Sequence, residues 1–437
     1  MRDIIVLAIV GLGCLYALRR PWIGVLLWSW LSIMNPHRFT YGMAFDAPLA
    51  ALTAVCTAIG FLVTKDQRSS PFKGPAVTAF LLFVGWLTLS WLNGLDPVDD
   101  YPQWNKVVKV DLMVIAGLMV LHSKRHLLAQ TWVAAGSLAV LGIKGGLFTF
   151  VGGGGSRVWG PPGTFIEDNN EFGLALVMTI PLLRFLQLQL ESRWGKHAMS
   201  ATMVLCAAAA LGTQSRGALL ALASMTVMLW WRSKSKFFGG LVILAVGVSL
   251  IVFMPDSWTE RMDTIGTYQQ DSSAQGRLAS WSAAWNMSFH YLTGVGFNAV
   301  HQNLFDLYSH NPEAGARAAH SIYFQVLGNH GFVGLGLFLA IWLITWREAG
   351  WLRNHAAQIH PSARWCAELG AMVQVSLAGF AVGGAFLSLA YFDFPYYTMM
   401  LVALARVWIT KRAWETEFLG PPGRFEVPGM GARMQER

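Results

Sequence analysis

The apolar positions of this chain fall in long runs separated by short polar breaks. The runs cover residues 4–18, 22–34, 46–63, 76–92, 107–121, 127–150, 172–190, 198–214, 217–231, 237–254, 321–346, 366–390 and 395–410. A helix needs about 20 apolar residues, within a range of about 17–25, to cross the hydrocarbon core of a bilayer. The runs are continuously apolar instead of alternating, which argues against strands of a membrane barrel. The pattern predicts an all-α fold: a polytopic integral membrane bundle of 12 or 13 transmembrane helices. The first two runs are short, so residues 4–34 form either a tight hairpin or one broken span.

The polar breaks sort by charge. Arg19-Arg20, Lys65/Arg68/Lys73, Lys124-Arg125, Arg193/Lys196, Arg232/Lys234/Lys236 and Arg347/Arg353/Arg364 occupy every second connection. Short loops dense in Lys and Arg face the cytoplasm. The alternate connections hold Asp96/Asp99/Asp100, the Gly-rich stretch 151–171 and the 66 residues from Pro255 to His320. In a bacterium these face the periplasm. The reading divides the chain into an N-terminal bundle (1–254), a long periplasmic loop carrying short helices (255–320), C-terminal membrane helices (321–410) and a cytoplasmic tail (411–437), disordered from Gly420 onward. A loop as long as 255–320 is usually functional or disordered, and its aromatic content favours order.

Composition narrows the class. Of 437 residues, 54% are hydrophobic and only 13% charged, against about 25% charged in soluble proteins. Twenty Trp, 26 Phe and 44 Gly suit membrane interfaces and close helix contacts. A conventional soluble enzyme, a disulfide scaffold and a disordered chain are excluded. The formal charge of +8 is dispersed in short clusters, which speaks against nucleic acid as a partner. Cys14, Cys56, Cys206 and Cys366 lie within apolar runs and form no CxxC or Cys/His cluster, so neither disulfide nor structural zinc is expected. The N-terminus reads as a retained span, since no A-x-A site precedes Arg19. No repeat at a fixed period appears, which counts against a transporter or flippase.

The outward basic residues are Arg38, Lys106, Arg157, Arg216, Arg261, Arg277 and Arg317. Arg216 lies in Thr213-Gln214-Ser215-Arg216-Gly217, a few polar residues between two spans, where an unpaired charge is unfavourable. It is either a snorkelling anchor or ion-paired residue, or a phosphate contact through its planar guanidinium. Arg277 opens a helical face that continues to Trp281 and Trp285, four and eight residues on; solvated helix and interfacial anchors are the plain alternative. Arg157 follows Gly152–Gly155, where glycine permits close approach of a ligand or simply a flexible loop. His320 stands where the loop re-enters the membrane, as a general base or a hydrogen-bonded interfacial histidine. No three-ligand metal set is apparent, although Asp99-Asp100 or Glu167-Asp168 offers a divalent ion a place. Lys144 and Asp111 interrupt apolar runs, so they either pair with each other or leave the lysine near a lipid phosphate.

In order along the chain stand T-x-S-R-G (Thr213–Gly217), G-R-x-x-x-W (Gly276–Trp281), G-V-G-F (Gly294–Phe297) and A-H-S-I-Y-x-Q-x-L-G-x-x-G (Ala319–Gly331). Gly160–Gly173 precedes them as an outer loop. This order resembles the bacterial O-antigen ligase and polymerase superfamily over about residues 1–410. The stretch Arg19–Arg38 is similar to the O-glycosylation ligases associated with exosortase systems. Many relatives carry His-Asn where this chain has His320-Ser321. The resemblance implies a membrane glycosyltransferase of the GT-C type with no cofactor, nucleotide sugar or metal. It would move a glycan from an undecaprenyl-pyrophosphate carrier to an acceptor hydroxyl on the periplasmic side of the inner membrane. In ligases the acceptor is a lipid A-core sugar, in polymerases another lipid-linked repeat. An O-oligosaccharyltransferase acting on a protein or other exported acceptor is the further alternative. On this reading Arg216 and Arg277 hold the pyrophosphate with help from Arg157, and His320 deprotonates the acceptor or holds the leaving phosphate. Single, inverting displacement is expected.

Overall fold

The computed structural model describes residues 1–66, 68–233, 235–263 and 272–417. The tail from Gly420, expected to be disordered, and Lys234 lie outside the described residues. Among the described residues the regular structure is helical, with no strand. The helices are α1 (Arg2–Arg19), α2 (Pro21–Met34), α3 (Leu49–Val63), α4 (Pro75–Leu92), α5 (Pro97–Val120) and α6 (Lys124–Val151). They continue with α7 (Asn169–Gln189), α8 (Arg193–Gly212), α9 (Arg216–Arg232), α10 (Lys236–Phe253), α11 (Asp256–Asp263) and α12 (Ser272–Met287). The last are α13 (Gln302–Tyr308), α14 (Ile322–Ile359), α15 (Arg364–Gly384), α16 (Asp393–Thr410) and α17 (Trp414–Glu417).

Every apolar run holds a helix, although the run 366–390 leaves its helix after Gly384. Six of these helices, α4, α6, α7, α10, α14 and the helix ending at Gly384, are long and apolar enough to cross a membrane. This is a polytopic helical membrane protein. Residues 4–34 are two helices broken at Arg20, and the second, with 14 residues, rises only about 21 Å. Several ends move outward from the apolar runs. In α5, Pro97 occupies the first turn and the Asp96 side chain accepts from Asp99 N at 3.1 Å, so the helix begins ten residues before its apolar stretch. Ser123, Ser192 and Ser215 cap α6, α8 and α9 in the same way, satisfying amides that a helix start leaves open.

The bundle is built around α7. Of its 18-residue apolar window 89% is buried, against 6% for the window of α10. Around α7 pack α6, α8, α9 and α15, while α14 lies along α15 and α4. Lys144 and Asp111 do not pair. The Lys144 ammonium stands 5.0 Å over the Phe39 ring at an exposed site, and Asp111 is buried in the electrostatic field of Asp393. Their runs meet other helices, a fact that spacing along one chain does not carry. Asp100 is likewise already engaged: it is buried and its Oδ2 accepts from Phe297 N at 2.7 Å.

The segment after α12 is pinned to α14 by backbone bonds. Val295 N donates to Gly328 O at 3.3 Å and Gly296 N to Asn329 O at 3.0 Å. Behind them, His330 Nδ1 lies 2.8 Å from Ser90 Oγ and Nε2 2.7 Å from Tyr391 Oη. Ser90 Oγ donates to Thr293 O at 2.7 Å. Gly294 has φ +74°, and a Cβ there would collide with the Asn329 carbonyl. Only glycine meets both demands. Gly294→Ala is therefore expected to lower stability by about 1–3 kcal/mol from backbone strain alone, read as a lower midpoint of thermal unfolding in detergent. An unchanged midpoint would refute the pinned geometry.

Candidate functional site

Three chain segments meet at the N-terminal end of α7. The first is the start of α7 itself. Asp168 caps it, accepting from Asn170 N at 2.8 Å, and Asn169 Nδ2 donates to Thr213 O at 2.7 Å. This ties α7 to the second segment, the three-residue junction between α8 and α9. The third is the stretch 316–321 entering α14, which α12 holds in place. Ser280 Oγ donates to Arg317 O at 3.1 Å and Trp281 Nε1 to Ala319 O at 2.7 Å. Trp281 also stacks on Phe324, with ring centroids 5.0 Å apart and planes 8° from parallel.

His320 sits at the meeting point. Its backbone is left-handed, with φ 44°, a conformation that non-glycine residues adopt at a cost and that clusters at functional sites. Its Nδ1 makes no hydrogen bond and lies 4.0 Å from Glu171 Oε1. Glu171 is buried, and the same oxygen accepts from Ser388 N at 3.2 Å. Burial holds the His320 imidazole below its ordinary range, reinforced by the Arg277 and Arg317 cations and opposed by Asp168. The ring is therefore neutral at pH 7, as a proton acceptor must be. Burial would raise the Asp168 carboxyl, yet hydrogen bonding with Glu171 and Asn170 outweighs it and holds the group low.

Arg277 thus shares His320's environment. It lies in the second turn of α12 instead of opening it, because the helix starts at Ser272. Beside it Gly276 is so close to the Arg317 guanidinium that any Cβ would collide. Arg216 is the first residue of α9 and half-buried. It connects to the His320 side through Gly217, where a Cβ would stand 3.3 Å from Phe386 and Leu387, next to Ser388. Arg157 belongs to the other flank. It is exposed, its Nε donates to Gln214 Oε1 at 3.3 Å, and with Lys144 it lines a separate cleft of about 360 Å³.

The junction has its own organiser, absent from the sequence reading. Gln214 is left-handed at φ 56°. Its amide donates to Gly154 O at 3.2 Å, and its backbone carbonyl accepts from Arg261 Nε at 2.9 Å. Glu171, Arg261 and Arg317 were likewise not singled out as site residues. For Glu171 a signal existed: an acid one residue before a long apolar run. Among the described residues no group of three or more His, Cys, Asp or Glu is placed to hold a metal ion, Asp99-Asp100 and Glu167-Asp168 included.

His320's lowered titration fixes a sign. Activity that needs neutral imidazole falls only below pH 6.5, as the ring protonates. Arg317→Gln removes one of the cations that hold it down, so the acidic limb of the pH–rate profile is expected to move toward pH 6.5. A limb that stays in place or moves lower would contradict the assignment.

Compared with known families, residues 201–339 match the O-antigen ligase family, and residues 1–189 match a family of unknown function. No curated protein matches the chain. Arg216, Arg277 and His320 fall within the first match; Arg157 and Glu171 fall within the second.

Proposed function

Residues 201–339 match the O-antigen ligase family, and from that premise we propose that the chain joins a lipid-linked glycan to a lipid A-core sugar on the periplasmic face of the inner membrane. The donor is a glycan on undecaprenyl pyrophosphate. The observation that carries the reading is His320, neutral, strained and 4.0 Å from the buried Glu171 carboxyl group, with Arg277 in its field.

The chemistry follows from these groups. The acceptor hydroxyl gives its proton to His320 Nε2 as its oxygen attacks the anomeric carbon. The bond from that carbon to the pyrophosphate oxygen breaks, and the lipid keeps the pyrophosphate with its added negative charge. Arg277 and Arg216 neutralise that charge bidentately, with Arg157 at the flank. Fixed cations in a partly dry site act strongly because they need no reorganisation as charge develops. Glu171 orients the imidazole: it faces Nδ1, which leaves Nε2 for the acceptor. The gap of 4.0 Å suits a resting site whose hydrogen bonds tighten on binding. With Glu171 engaged in this way, attack is a single displacement with inversion and requires no metal.

The test is transfer by purified protein from undecaprenyl-pyrophosphate-linked glycan to lipid A-core in the presence of EDTA. Arg216→Ala and Arg277→Ala should each lower turnover by about 10²–10³-fold, and His320→Ala by about 10²–10⁴-fold. Full activity in both folded arginine variants would end the proposal. Lengthening of the donor glycan in place of transfer would make the enzyme a polymerase, and transfer to an exported protein would make it an O-oligosaccharyltransferase.

A further inference from the structure

The basic residues that glycan transfer leaves unused gather between α2, α3 and α5. A cleft of about 320 Å³ there is rimmed by Arg38, Lys106 and Lys109 and covered by the loop at Phe165. Farther along α3 and α5 lies a second cleft of about 440 Å³, lined by Ala54, Ala58, Phe61 and Leu112. Trp28 and Lys109 line both, so the two are one groove with a cationic head and an apolar trough. Leu62 and Leu112 at the trough are 82% and 55% exposed, so it opens sideways toward hydrocarbon. Trp28 is only 5% exposed, and its Nε1 has no hydrogen-bond partner. An indole donor buried in this way calls for an acceptor.

The charges at the head are not consumed by their neighbours. Lys106 donates to Gly163 O at 3.3 Å and lies 4.1 Å over the Phe165 ring, and Asp393 and Glu167 act on it from a distance. An ammonium has three donors. Arg38 is 3.6 Å from Asp46, whose side chain is 88% exposed. Lys109 is exposed. None of the helices packed on α9, namely α7, α8, α10 and α15, lines the groove, so it is separate from the pyrophosphate site.

We propose that this groove holds one anionic phospholipid of the surrounding membrane. Its phosphate lies among Lys106, Lys109 and Arg38, an ester oxygen accepts from Trp28 Nε1, and one acyl chain fills the trough. The lipid also fastens the outer loop, because Lys106 contacts both the headgroup and Gly163–Phe165, three to five residues before the α7 cap at Asp168. The inference is independent of glycan transfer.

The full chain is reconstituted in nanodiscs of equal parts phosphatidylglycerol and phosphatidylcholine, and the lipid retained after extraction is identified by native mass spectrometry. Wild-type protein should keep one phosphatidylglycerol in preference to phosphatidylcholine. Lys106→Gln with Lys109→Gln should weaken that preference about 30-fold, at about tenfold or less for each cation. Ala58→Trp, on an exposed surface, should expel the lipid with the charges intact, so the test survives a lysine variant that does not fold. Lys144→Gln, in the other cleft, should change nothing. Equal retention of the two lipids by wild type, phosphatidylglycerol retention unchanged in the variants, or a loss with Lys144→Gln would each overturn the proposal.

Discussion

The half of the molecule that holds His320 depends on two backbone hydrogen bonds between residues 295–296 and 328–329. They fasten the chain returning from α12 to the first turns of α14, beside the direct packing of α12 on α14. Glycine makes the approach possible, and the buried Ser90–His330–Tyr391 chain secures it from behind. Buried polar groups left unpaired cost about 1–3 kcal/mol each, so this network is held as a unit or not at all. Once the segment is fixed, α12 has one position, and with it Trp281, Arg277 and the stretch that ends at His320.

The electrostatics of the site follow from where it lies. At the edge of the bundle, water is scarce enough for burial to press imidazole toward its neutral form, and two guanidinium groups press the same way. Asp168 restrains that tendency without placing a formal ion pair on the ring. The same few residues thus keep one group neutral and leave cations available for an anionic substrate. A site of opposite design, with histidine charged in a carboxylate cage, would bind phosphate but have no base.

The apolar runs of the sequence mark the helices because a bilayer demands long, uninterrupted apolar stretches. Their ends were less visible. Asp96 and Pro97 start α5 in a polar segment that hydropathy alone assigns to a loop. The arginines and His320 stood out because charge at a membrane edge is conspicuous. Glu171 did not, since a lone acid near a helix start also serves as a cap. The separation of Lys144 from Asp111 and the gathering of Arg157 and Arg261 at Gln214 are facts of helix packing. Left-handed backbone at Gln214 leaves no trace in residue type, and at His320 only the modest enrichment of histidine in that region.

Gly331, with φ 67° and ψ −173°, interrupts α14 after its first nine residues. The full 38 residues would measure about 57 Å as one rod, nearly twice the roughly 30 Å of hydrocarbon. A rod of that length tilts when the bilayer thins, and a rigid connection would swing its outer tip. The break at Gly331 removes that connection. The piece before the break is clamped to α4 and to the approach to α16 through His330, while the shaft beyond it is packed along α15 and α4. The two pieces of α14 thus take their directions from different neighbours, the first from the His330 bonds and the shaft from α15 and α4.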